Sequence, residues 1–143
     1  MSHVNTYLNF TRNTEEAFNF YKSVFKTEFK GVINRLGDFP REAGQPELPD
    51  EDKNLVMHVA LPTIGDHVLM GTDVPESSGY SVQFGNNVVI SLEPDTLEEA
   101  QSLFDKLSAG GVVEMSLQKM FWGAYYASFT DKFGVRWMIN GMY

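Results

Sequence analysis

The chain has 143 residues, no cysteine, 11 Lys and Arg against 19 Asp and Glu, and a net charge of −8. Hydrophobic residues make up 43% and aromatics 13%, enough for a packed core and too many for a disordered chain. The lack of cysteine excludes disulfides and thiol nucleophiles, and the basic residues are scattered, whereas a nucleic-acid binder needs a basic stripe to displace counterions.

The first ten residues, MSHVNTYLNF, lack the basic start and apolar run of a signal peptide, and no apolar run approaches the ~18 residues of a membrane span. The expectation is a cytoplasmic protein with neither nucleic acid nor membrane as partner. VNTYLNF (4–10) alternates as a strand does. Asn13 and Glu16 then have capping-box spacing, and Ala17, Phe20, Tyr21, Val24 and Phe25 follow at helical spacing. FKGVINRL (29–36) predicts another strand. GDFPREAGQPELPDEDKN (37–54) is rich in Pro, Gly and acids. It exceeds the usual ~12–15 residues of a structureless connection and reads as a mobile loop or a lid. NLVMHVALPTIGDHVLMG (54–71) reads as two strands joined by a turn, and 75–86 as a Gly-containing linker.

The same order then recurs. NVVISL (87–92) predicts a strand, and Asp95 and Thr96 stand three residues before Glu98 and Glu99. Ala100, Leu103, Phe104 and Leu107 form an apolar stripe that Gly110-Gly111 ends. VVEMSLQKM (112–120) is a strand, and FWGAYYASFTDKFGVRWMIN (121–140), which holds both Trp residues, reads as a hairpin with Asp131 and Gly134 in its turn. An offset of 69 lays one hairpin on the other, placing Gly65 on Gly134 and Leu69 on Met138. An offset of 82 superposes the opening strands, Asn5 on Asn87, and the helices need 83. The fold class expected is α+β, two tandem βαβββ modules forming curved mixed sheets around a cleft. The first module spans 1–74 with 37–54 inserted, the linker 75–86 and the second module 87–143, together one domain.

Alternation along the strands assigns faces. Thr6, Leu8 and Phe10 are the oilier set of the first strand and belong under the helix, leaving Asn5, Tyr7 and Asn9 for the concave face. Of the two choices on each closing strand, the faces containing His67, Leu69 and Gly71, and Arg136, Met138 and Asn140, are taken as cavity-facing.

Two βαβββ modules of this spacing resemble the vicinal oxygen chelate superfamily of glyoxalase I, ring-cleaving dioxygenases and bleomycin-resistance proteins. More narrowly, YLNF…EEAFNFYKSVF, VMHVALPTIGDHVLMGTD, LFDKLSAGGVVEMSLQKMFWG and FTDKFGVRWMIN resemble its PhnB-like subgroup. Lys26-Thr27 departs from the Gly pair that subgroup often carries. Some of its members bear a ubiquinone-methyltransferase label, but a methyltransferase needs a Gly-rich turn after its first strand and this chain reads TRNTEEA there. The resemblance implies a small organic ligand and a homodimer.

Metalloenzymes of that superfamily place four ligands on the first and last strands of the two modules. Matched motif to motif, those slots fall on Asn5, Leu69, Asn87 and Met138, none of which is the imidazole or carboxylate that a catalytic divalent metal takes. No cofactor is therefore expected. The leading reading is a metal-independent binding protein of the bleomycin-resistance kind, with Tyr7, Trp122 and Tyr126 packing on a planar ligand and Asn5, Asn87 and Arg136 orienting it. The alternative is an isomerase or lyase on a small oxygenated metabolite. Its base would be His58 or His67, since imidazole titrates near neutral pH. If the two His met across their hairpin, they would make an atypical divalent-metal site with a carboxylate.

Overall fold

A computed structural model describes residues 1–143 and divides them into two compact units, Met1–Val82 and Gln83–Tyr143. Each unit is a βαβββ module. The first runs β1 (Thr6–Phe10), α1 (Thr14–Phe25), β2 (Asn34–Arg35), β3 (Val56–Pro62) and β4 (Val68–Asp73). Its sheet has the order β1-β4-β3-β2, with β1 parallel to β4 and the other pairs antiparallel. The second runs β5 (Ile90–Leu92), α2 (Leu97–Leu107), β6 (Val112–Lys119), β7 (Tyr125–Thr130) and β8 (Arg136–Gly141), in the corresponding order β5-β8-β7-β6. The α+β class and the duplication match the expectation from the sequence. Two strands are shorter than expected: 29–36 contributes only Asn34–Arg35, and 87–92 only Ile90–Leu92. No helix is long and apolar enough to cross a membrane.

Helix α1 buries Ala17, Phe18, Tyr21 and Val24. Phe18 takes the place expected for Phe20, and its ring meets Tyr21 edge-on at 5.7 Å. The expected Asn13 capping box does not form: Asn13 has φ −118° and ψ 27° and makes no side-chain cap bond. The orphan N–H of Thr14 instead donates to Asp73 Oδ1 at 3.0 Å, and Asp73 Oδ2 accepts from Val56 N–H at 2.8 Å. A buried carboxylate at the end of β4 thus joins the start of the helix to the start of β3, where the helix dipole favours it. Helix α2 is capped as its sequence predicts, with Glu99 N–H donating to Thr96 Oγ1 at 3.1 Å. At the end of α1, Lys26 adopts φ 55° with its N–H on the Lys22 carbonyl. Glycine normally fills that left-handed position, so the departure at Lys26 carries a backbone cost of about 1 kcal/mol.

The helices decide which face of each sheet is core. A Cβ added at Gly71 would stand 2.6 Å from the Phe18 ring, so β4 presses its Leu69–Gly71 side against α1. Val59 lies opposite Gly71 and Leu61 opposite Leu69, and directly opposed residues share a face. Leu61, Leu69 and Val59 are all buried. In the second unit Phe104 of α2 meets Phe129 edge-on at 5.6 Å, and Trp137 and Ile139 are buried beside it. Asp131 closes the β7–β8 turn by accepting from the N–H groups of Phe133 and Val135 and from Trp137 Nε1 at 2.8 Å.

Asp73→Ala removes two hydrogen bonds to a charged acceptor and leaves two N–H groups without it. At roughly 1.5–3 kcal/mol per bond of this kind, the loss is expected to be about 3 kcal/mol or more, read as a lower urea midpoint with unchanged m-value.

Candidate functional site

The helix-free face of the first sheet carries Tyr7 and Asn9 from β1, Met70 and Thr72 from β4, His58 and Ala60 from β3, and Asn34 from β2. Their neighbourhood follows from the register: Tyr7 pairs with Met70, Asn9 with Thr72, Ala60 with Met70 and Asn34 with His58. Tyr7 is 48% exposed. Its Oη lies 3.2 Å from His58 Nδ1, with the two rings tilted 33° at 5.8 Å. Partial burial pushes the Tyr7 phenol above its ordinary range, against a smaller opposing effect from the Thr72 hydroxyl. The phenol therefore remains protonated at neutral pH and available as a donor.

The choice of the His67 face as cavity-facing is corrected by the packing. Gly71 and Leu69 lie under α1, so His67 belongs to the helix side and Met70 and Thr72 to the open side. His67 Nε2 lies 2.8 Å from Thr6 Oγ1, and Nδ1 3.0 Å from Thr63 Oγ1. The Thr63 hydroxyl also donates to the His67 carbonyl at 3.1 Å. With its one proton spent there, Thr63 can only accept from Nδ1–H, which leaves Nε2 to accept from Thr6. Both nitrogens of a neutral ring are thus occupied within the module, and burial lowers the His67 pKa below 6.5. His58 and His67 stand on opposite faces and do not meet.

The register also corrects the internal repeat. Leu61 pairs with Leu69 and Phe129 with Trp137, and Thr63 N–H closes on the His67 carbonyl as Asp131 N–H closes on that of Val135. The hairpins are therefore offset by 68, not 69. Aligning Gly65 with Gly134 slipped the register by one, which exchanges the two faces. Met70, not Leu69, is the counterpart of Met138. On the opening strands Thr6 pairs with Leu69 and Ile90 with Trp137, so Tyr7 corresponds to Ser91 and the equivalence of Asn5 with Asn87 falls. In the corrected register Tyr7 corresponds to Ser91 and Met70 to Met138. A phenol, a hydroxyl and two thioethers do not fit a catalytic divalent cation, and no three His, Asp or Glu side chains gather where they could hold one.

The remaining candidates are dispersed. Asn5 Oδ1 accepts from Val68 N–H at 3.2 Å and so ties β1 to β4. Tyr126 and Arg136 share the open face of the second sheet, as that choice of face expected, with Tyr126 opposite Asn140 and Arg136 opposite Thr130. Arg136 Nη1 donates to the Asn86 carbonyl at 2.6 Å and Nη2 lies 3.5 Å from Glu114. Asn87 is exposed ahead of β5. Trp122 sits in the turn between β6 and β7, edge-on to the exposed Phe121 at 4.8 Å. It lies outside both strands, so strand alternation assigns it to neither face. Met70 and Thr72 were missed among the candidates. Gly71 was the available signal, since glycine inside a strand marks a close approach on its own face.

Two βαβββ repeats, each with one helix-covered and one open sheet face, define a duplicated α+β protein. The sequence model of the Glyoxalase/Bleomycin resistance protein/Dioxygenase superfamily matches residues 3–139, and the chain belongs to that superfamily. It is 31% identical over 142 residues to Protein YjdN of Escherichia coli (strain K12), covering 94% of this chain and 91% of that one. Protein PA1353 from Pseudomonas aeruginosa has a similar structure, with TM-score 0.82 and 34% identity over 99% of this chain and 98% of that one. The PhnB protein from Bacillus cereus follows at TM-score 0.74 and 25% identity over 98% and 99% of the two chains.

A lowered His67 pKa means that the folded protein binds fewer protons than the unfolded one below pH 6.5. This contribution to stability is complete above pH 6.5 and is lost as the pH falls through the folded value. A melting-temperature profile of wild type is expected to decline across that window, and more steeply than that of His67→Gln. An NMR titration of His67 is expected to give a midpoint below 6.5.

Proposed function

We propose that the protein binds a small planar organic ligand without a metal, on the helix-free face of its first sheet. The observation that carries this reading is the chemistry of the first sheet's open face, where Tyr7 and its strand partner Met70 supply an aromatic ring and a soft apolar sulfur. The half-exposed Tyr7 ring offers a stacking surface beside the His58 imidazole. Asn9, Asn34 and Thr72 add hydrogen-bonding groups on the same face. Pockets for small molecules combine such apolar and aromatic walls with a few placed polar groups. Trp122 and Asn87 are weaker members of the set than the sequence alone suggested, because neither lies on a strand.

The test is a melting-temperature screen of planar aromatic compounds with and without a chelator, followed by titration of the best hit. Stabilisation is expected to survive the chelator. Tyr7→Ala is expected to raise Kd about tenfold, the equivalent of a lost stacking contact of about 1.4 kcal/mol. Stabilisation that disappears with chelator, and returns with added divalent metal, would remove the metal-independent reading.

The Tyr7–His58 hydrogen bond supports a second reading, in which His58 acts as a base on a small oxygenated metabolite. Turnover of a ligand found in the screen, lost in His58→Ala while Kd is retained, would establish it. Retained turnover in that variant would remove His58 from the role.

The reading includes a homodimer. It is supported by large apolar side chains left in solvent on the second unit: Phe121 is 96% exposed, and Trp122, Met142, Val112 and Val113 are also exposed. Sedimentation equilibrium at micromolar concentration is expected to give twice the 16.2 kDa chain mass; a single-chain mass would reject it.

A further inference from the structure

The insertion between β2 and β3 is not a free loop at its base. Leu36 N–H donates to the Leu55 carbonyl and Gly37 N–H to the Lys53 carbonyl, both at 2.9 Å. These bonds continue the β2–β3 pairing into a narrow neck. The two legs come so close that a Cβ on Gly37 would lie 2.9 Å from Lys53 Cβ. Arg35 reinforces the neck, with Nη1 donating to the Asn54 carbonyl at 2.8 Å and both terminal nitrogens gripping the Glu15 carboxylate at 2.9 Å.

Beyond the neck, Asp52 is the only buried residue of 37–54. It sits in a 3-10 turn over Asp50–Asp52. One oxygen accepts from Arg12 Nη1 at 2.9 Å, and the other from Ser77 Oγ at 2.6 Å. Arg12 Nε in turn donates to Glu76 at 2.9 Å. Three segments distant in sequence therefore converge on one carboxylate: the turn after β1, the returning leg of the insertion and the residues following β4. A carboxylate out of contact with water depends on its partners, and removing one of them leaves a charge that the surroundings no longer satisfy.

We propose that residues 38–51 form a strap that opens and closes as one body together with its neck, and that the Arg12–Asp52–Ser77 pin sets how often it opens. The rest of the strap lacks the buried contacts that would tie it down separately, so the pin and the neck together hold it. Cooperative local opening is the behaviour of a segment with few buried contacts attached to a stable core. The neck adjoins the Asn34–His58 pair at the edge of the first sheet. Opening the strap therefore loosens the strand that supports His58. That regulatory consequence rests on reading this face as the ligand-binding face, whereas the pin itself does not.

Amide hydrogen exchange on the full chain tests the pin without any ligand. In Arg12→Met, the amides of Leu36, Gly37 and Leu55 are expected to exchange at least tenfold faster than in wild type, while those of Ala60, Leu61 and Leu69 keep their rates. Ser77→Ala, which removes one hydrogen bond from the exposed side and is the milder change, is expected to act in the same direction by a smaller factor. Replacing both charges, in Arg12→Met with Asp52→Leu, is expected to recover most of the protection. Wild-type rates at the neck in Arg12→Met and Ser77→Ala would overturn the proposal. So would equal acceleration at Leu61 and Leu69, which would make Arg12 a support of the whole module. With the pin established, the Kd of an aromatic ligand from the melting screen is expected to change in Ser77→Ala. An unchanged Kd would remove the regulatory link and leave the pin standing.

Discussion

The close approach of Phe18 to Gly71 is the contact on which the arrangement of the first module depends. No larger residue at 71 could let the ring lie 2.6 Å from a would-be Cβ position. Because side chains alternate strictly along a strand, fixing this one position fixes the others. Leu69 goes beneath the helix with Gly71, and Val59 and Leu61 join them across the β3–β4 pairing. Met70, Thr72, Tyr7 and His58 are left on the open face. The chemistry available to a ligand in this module is thus what remains after α1 has chosen its packing partners.

The two modules solve the same topological problem with different polar groups. In the first, Asp73 holds the start of α1 to β3, and Thr63 with His67 closes the hairpin turn. In the second, Thr96 caps its own helix, and Asp131 closes the turn and anchors Trp137. Each device supplies a side-chain partner at a helix start or a hairpin turn, where the ladder hydrogen bonds end. The duplication has preserved strand order and helix placement, while the carboxylate moved from the helix cap in one copy to the hairpin turn in the other. The 37–54 insertion is the largest further difference between the copies, and its only buried residue is again a carboxylate with two partners.

This divergence bears on function. Tyr7 and Met70 of the first module, and their counterparts Ser91 and Met138 of the second, carry neither imidazole nor carboxylate. The one histidine on the open face is paired with a phenol, and the other has both ring nitrogens engaged by threonine hydroxyls. A fold can host many activities, and the side chains on its open faces decide among them. Here those faces display aromatic rings, thioethers and hydrogen-bonding groups.

The sequence by itself determined the two βαβββ modules, the helices, the closing hairpins and the insertion. These are local patterns, apolar periodicity of two or 3.6 residues punctuated by Gly, Pro, Asp and Thr, and each is readable within a short window. It also determined the face of the first strand, because Thr6, Leu8 and Phe10 differ plainly in polarity from Asn5, Tyr7 and Asn9. On β4 both faces are apolar, so polarity could not choose between Leu69 and Met70, and aligning the two turn glycines shifted the register by one. Only the tertiary structure decided that face, through the pressure of Phe18 on Gly71. It alone placed Tyr7 beside His58, Asp73 on the N-terminus of α1 and Asp52 between Arg12 and Ser77. These contacts join residues 40 to 59 positions apart, or 25 apart in the case of Asp52 and Ser77. Such pairings arise from strand register and helix docking, which no local window of sequence contains.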